Sequence, residues 1–213
     1  MTTPNAQLPP LRASAETLAE AYIPHVQGRA GRIARDVALV VGGAALTALA
    51  AQVAFTVPWT PVPYTLQTAA VLLTGTALGA FRGFASMALY VAAGALGLGV
   101  FAGGQSGFQS ESGGVIVSIG YLFAFVAAAA LVGRLAERQW DRTRTGAFLL
   151  MLLGTFVIYL IGVPVLALLT GMAFGEAIYQ GAIVFLPWDV AKILVAALAF
   201  PAAWRLAGDR TGE

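Results

Sequence analysis

In the segment FLPWDVAKILVAALAF (Phe185–Phe200), Asp189 and Lys192 set an anion and a cation three residues apart in an otherwise apolar run. On a helix, i,i+3 spacing puts them on one face, Lys192 about 4.5 Å further along the axis. Such a pair has two uses. One is helix-start chemistry: Pro187 in the first turn, Asp189 beside the positive dipole end, and Lys192 neutralising it or snorkelling to headgroups. The other is a ligand site in which a carboxylate accepts and an ammonium donates, the usual role of ionisable residues inside a membrane.

Other chemistries find no residues to carry them. Lys192 is the only lysine and sits in VAKIL, so the Gly-Lys-Ser/Thr of a phosphate-binding loop is missing and this chain does not bind ATP in that way. The single His25 lies in a polar N-terminal stretch, and one histidine without cysteine makes no metal site. No Ser–His pair can form within the apolar segments. Glu111 and Glu176 both fall in expected loops, which leaves no intramembrane acid pair for hydrolysis. These exclusions point away from an enzyme.

The solvent decides how the charge pair is read. Hydrophobic residues make up 59% of the 213 and charged residues 10%, against about 25% charged in soluble domains. So much apolar surface calls for lipid, and the expected fold is an all-α integral membrane bundle. A net charge of +2 with no basic run argues against nucleic acid as a partner.

A bilayer core about 30 Å thick takes around 20 apolar residues per helix. Val37–Phe55, Leu66–Phe81, Gly83–Val100, Val115–Gly133, Gly146–Gly171 and Pro187–Trp204 are the six expected spans. They are expected to make one transmembrane domain over residues 34–208. A polar N-terminal tail, 1–33, and a short C-terminal tail, 209–213, flank it. The tail lacks the short apolar core of a secretory signal and is expected to be retained. Twelve residues are Lys or Arg and one is lysine, so eleven are arginines. In a six-span topology all eleven fall on one side, which the excess of positive charge marks as cytoplasmic, with both termini there. Trp59 and Trp188 are then expected near the outer interface, and Trp140 and Trp204 near the inner one.

Two connections on the opposite side invite functional readings. FTVPWTPVPYTLQT carries stiffening prolines at 58, 61 and 63 and reads as a shaped cover or as an interfacial anchor. The Gly-rich FAGGQSGFQSESGG (Phe101–Gly114) reads as a slack connection or as a lid. Near the start of the first span, Ala34, Ala38 and Gly42 form a small-xxx-small stripe. Such stripes serve internal packing or the docking of another membrane subunit.

Three motifs together resemble the BioY family, the biotin-specific substrate-binding (S) components of energy-coupling-factor (ECF) transporters. They are P-x-T-L-Q-T within Val62–Gly104, F-A-G-G at Phe101–Gly104, and D-x-x-K in PWDVAKILVAALAF, with GYLFAF (Gly120–Phe125) between the last two. Their order and spacing match, and they cover the middle and the end of the chain. The resemblance implies a six-helix protein of the cell membrane that captures biotin from outside. A transmembrane coupling subunit and two ABC ATPases would drive delivery; the ATP would be theirs, with no cofactor on this chain. It makes Asp189 and Lys192 the first ligand-binding candidates and Gln67, Tyr90, Gly103, Gly104 and Tyr121 further pocket or lid candidates. One departure stands out. Where the family usually shows G-P-T-G-G-Y-L, this chain has IVSIGYL (Ile116–Leu122), keeping only Gly120, Tyr121 and Leu122. The rival reading is a stand-alone carrier with Asp189 as a proton relay.

Overall fold

The structure is a computed structural model that describes residues 16–24, 26–109 and 113–209. His25 and Glu111 lie outside the described residues. The longer helices follow the apolar runs. They are α2 (Arg29–Gln52), α3 (Gln67–Leu78), α4 (Ala80–Ala95), α5 (Ile119–Glu137), α6 (Arg144–Thr170) and α8 (Leu186–Asp209). Shorter helices α1 (Leu18–Tyr22) and α7 (Phe174–Gly181) flank them. Four stretches are long and apolar enough to cross a membrane: Arg29–Gln52, Ile119–Glu137, Arg144–Thr170 and Phe174–Ala207. The apolar α3 is shorter, at 12 residues.

At the centre lies α5, packed against α3, α4 and α6. Its face of Ala124, Ala128, Ala129, Val132 and Ala136 is fully buried, because small side chains let neighbouring backbones come close. A Cβ added to Gly75 of α3 would lie 2.5 Å from the Ala129 carbonyl oxygen. Outside this layer, α2 packs on α3 and α4, and α8 packs on α6.

Several boundaries differ from the sequence expectation. The α3–α4 turn falls at Gly79, not at Arg82. Gly79 adopts φ +87°, open to glycine without a Cβ penalty, and the Glu137 carboxylate accepts the Ala80 N–H at 2.8 Å just beyond it. Arg82 is thereby placed in the first turn of α4. The first helix begins at Arg29, earlier than Val37, and stops at Gln52 because the chain enters an antiparallel hairpin, β1 (Ala54–Val57) and β2 (Thr60–Thr65). In β2 the burial alternates: Thr60, Val62 and Tyr64 face inward while Pro61 and Pro63 occupy the more exposed positions. Prolines are tolerated there because the sheet has only two strands, both of them edges. The segment after α6, expected as a loop, holds α7.

Contacts among the basic residues gather at one end. Arg82 pairs with Asp36 at 2.9 Å, Arg134 with Glu137 at 3.0 Å, and Trp204 donates to Asp141 at 2.6 Å. Trp204 also lies under the Arg142 guanidinium, 3.3 Å from its ring centroid. Its side chain is thus held by protein partners. The hairpin, the Gly-rich loop, α7 and the start of α8 occupy the opposite end.

Candidate functional site

Asp189, in the first turn of α8, is buried at 4% exposure. Its Oδ1 lies 2.6 Å from Lys192 Nζ, and its Oδ2 accepts from the Tyr159 hydroxyl. Lys192 Nζ also donates to Thr68 Oγ1 at 2.5 Å. Neither charge reaches for solvent, so Lys192 does not snorkel outward; it neutralises Asp189 in the first turn of α8, an arrangement that both readings of the pair share. Tyr159 comes from the middle of α6 and Thr68 from the first turn of α3, so three helices converge on the pair.

Around the pair opens a cleft that is smaller, as it stands, than the usual small-ligand site. It is narrow: the centres of water molecules can occupy only about 50 Å³ of it. Phe101, Phe125 and Phe185 supply apolar walls, and Thr65, Gln67, Ser118 and Tyr121 add polar groups. The hairpin contributes Val62 and Pro63. It is pinned over the cleft by two hydroxyls, Thr60 to the Gln180 carbonyl and Tyr64 to that of Val184, both at 2.7 Å. Tyr64 also packs against Phe185 with tilted rings, centroids 4.3 Å apart. The Pro-rich segment is thus a shaped cover, with Trp59 exposed near its tip.

The remaining candidates separate into two groups. Gln67 and Tyr121 line the cleft. Gln67 donates to the Tyr90 hydroxyl at 2.6 Å, and Tyr121 donates to the Gly181 carbonyl at 2.8 Å. Tyr90 is almost fully buried behind Gln67, where it donates to the Val100 carbonyl at 3.0 Å and orients the amide. Gly103 and Gly104 sit in a tight turn with φ +65° and +83°, beside the cleft; its wall there is made by Phe101 and Ala102. Phe101 seats the loop: its ring meets Tyr90 edge-on at 5.6 Å and fills the space where Gly94 lacks a side chain.

Sequence reasoning missed Tyr159 and Thr68. A lone tyrosine within GTFVIYLIGV was the available signal, since a buried phenol in lipid needs a partner. Thr68 lies inside the L-Q-T motif but was not singled out. The stripe of Ala34, Ala38 and Gly42 runs along the exposed side of α2, with nothing within 4 Å of a Cβ built on Gly42. The inward side carries Gly43, Ala44, Thr47 and Ala51. The stripe is therefore not used for packing among the described residues.

The BioY family model matches residues 17–209. The biotin transporter BioY of Rhizobium etli is 37% identical over 149 residues, 65% of this chain and 75% of that one. The probable biotin transporter BioY of Pyrococcus horikoshii is 38% identical over 176 residues, covering 83% of this chain and 98% of the relative. Among solved structures, the S-component for biotin from an ECF-type ABC transporter superposes with TM-score 0.72 at 19% identity. That match covers 84% of this chain and 95% of the other, a likeness of fold.

Proposed function

The chain belongs to the BioY family, and from that premise we propose that it captures biotin in the Asp189–Lys192 cleft as the substrate-binding subunit of an ECF transporter. It is a transport protein and not an enzyme. The observation that carries the reading is the hydrogen-bonding capacity left at the buried pair. A carboxylate offers about four lone-pair sites and an ammonium three donors. Lys192 and Tyr159 engage Asp189, while Asp189 and Thr68 engage Lys192. Acceptor capacity on Asp189 and one donor on Lys192 remain. A ureido ring brings two N–H donors and one carbonyl acceptor, the complementary set. The apolar remainder of biotin, its sulfur ring and aliphatic tail, suits walls of Phe101, Phe125 and Phe185.

The same reading assigns the membrane architecture. The four long apolar stretches make this a multi-pass membrane protein. We place α3 and α4 as two further crossings, giving six spans in the cell membrane. The arginine-rich end faces the cytoplasm, with both termini there. The exposed stripe of Ala34, Ala38 and Gly42 on α2 is the docking face for a coupling subunit, whose ATPases hydrolyse the ATP.

Uptake of labelled biotin by cells carrying the whole transporter tests this. It is expected to collapse when the ATPase partners are removed and to survive a protonophore while ATP is maintained. Uptake that persists without the ATPases and stops with the protonophore supports the proton-coupled carrier instead.

A further inference from the structure

The helix proposed to dock the partner and the helix that carries the charge pair have no substantial direct packing: α2 lies on α3 and α4, whereas α8 lies on α6 and, more lightly, on α3. At the arginine-rich end, however, the short α1 touches both. Thr17 caps α1 and is buried, as is Ala19. Arg35 of α2 donates to the Ala19 and Ile23 carbonyls at 3.2 and 3.3 Å. Arg82 of α4 pairs with Glu20 at 3.5 Å and with Asp36 of α2 at 2.9 Å. On the other side, the Tyr22 hydroxyl donates to the Ala203 carbonyl of α8 at 2.6 Å.

Tyr22 grips α8 just beyond the helix's internal proline. Pro201 lies inside the helix, and a proline there removes one backbone hydrogen bond and crowds the preceding turn. Just beyond it, Ala203 is held by Tyr22, and Trp204 by Asp141 and Arg142. The segment after the proline is therefore clamped from two sides, one of them the α1 strap.

We propose that Thr17–Ile23 is a strap that couples α2 to α8, with Tyr22 as its positioning residue. Partner docking on α2 shifts Arg35 and Asp36, the strap carries the shift, and α8 moves about Pro201. This rests on the reading that α2 docks the coupling subunit and the cleft binds biotin. By reciprocity, assembly then changes biotin affinity by some factor, and biotin changes assembly by the same factor.

Tyr22→Phe combined with Arg35→Met removes the strap's hydrogen bond to α8 and its direct hydrogen bonds from α2 with little change in side-chain size. Biotin dissociation constants are measured for the isolated chain and for the assembled transporter, in wild type and in the double variant. The expected result is unchanged affinity in the isolated variant and a coupling factor reduced by about fivefold or more, the scale of a lost hydrogen bond. An equal coupling factor in wild type and variant overturns the strap. So does a factor of one in wild type, or a loss of affinity in the isolated variant, which would make α1 part of the binding fold. Failure of the isolated wild-type chain to bind biotin would instead sink the proposed function and, with it, the strap's role.

Discussion

At the residue scale, the site rests on who holds Asp189. Removing one partner of a buried ion pair costs about 3–5 kcal/mol, because the other charge is stranded without water. Asp189 and Lys192 avoid that state through each other, through Tyr159 and through Thr68. Tyr159→Phe removes the hydroxyl alone, because the ring stays in place on α6 in edge-on contact with Tyr121. Tyr159→Phe is therefore expected to preserve the fold and to weaken biotin binding by about tenfold, the scale of a hydrogen bond to a charged group. Calorimetric titration of the purified variant checks this; an unchanged dissociation constant would show that the hydroxyl leaves Asp189 once biotin binds. The pair itself was legible in the sequence because two charges in an apolar run are conspicuous. Its two supporting hydroxyls were not, because threonine and tyrosine occur throughout membrane helices and only the crossing of α3, α6 and α8 shows which ones reach the pair.

At the element scale, α5 is the packing axis, and its small residues set how closely its neighbours approach. A Cβ on Gly133 would lie 2.4 Å from the Gly79 carbonyl carbon and 2.5 Å from the Ala80 nitrogen. Both are backbone atoms of the α3–α4 turn and have little freedom to give way. Gly133→Ala is expected to lower stability by about 1–3 kcal/mol, the usual cost of overpacking, read as a lower melting temperature in detergent. Asp141, in the turn between α5 and α6, allows a pH test. Burial raises its carboxyl pKa, outweighing the opposing effects of the Trp204 N–H and the Arg142 guanidinium. The folded state thus favours the protonated form. Stability contributed by Asp141 is greatest at low pH and declines as pH rises through the raised pKa. Asp141→Asn keeps an acceptor for Trp204 and abolishes this titration. The melting temperature of wild type relative to the variant is expected to rise on acidification; a difference constant with pH would contradict the assignment. Apolar runs made most of the helices readable. The hairpin was hidden because three prolines advertise only the end of a helix, and the period-two burial of Thr60, Val62 and Tyr64 spans just six residues. The Gly79 turn was obscured by Arg82, a charge that looks like a loop but belongs to the first turn of α4.

At the scale of the whole molecule, the two ends divide the work. One end gathers the arginines, the α1 strap and the Asp141–Trp204 contact, and is read as the face turned to the ATP-driven partners. The other carries the hairpin, the Phe101 loop and α7 around the cleft, and is read as the face turned to biotin. The sequence raised the expectation of such a division through the distribution of arginines, since side preference is a matter of counting charges per loop. The route between the ends was not visible. It depends on Glu20, Tyr22 and Arg35, which in sequence are ordinary members of a polar stretch, yet contact three separate helices once folded.

The most direct test of the central claim is calorimetric titration of biotin into purified wild-type protein and into Lys192→Ala, in the same detergent. Saturable one-to-one binding by wild type, weakened at least about 100-fold in a variant that remains folded, is the predicted result. Equal affinity in the two proteins would contradict the account, because the vitamin would then be held without the ammonium that Asp189 keeps in place.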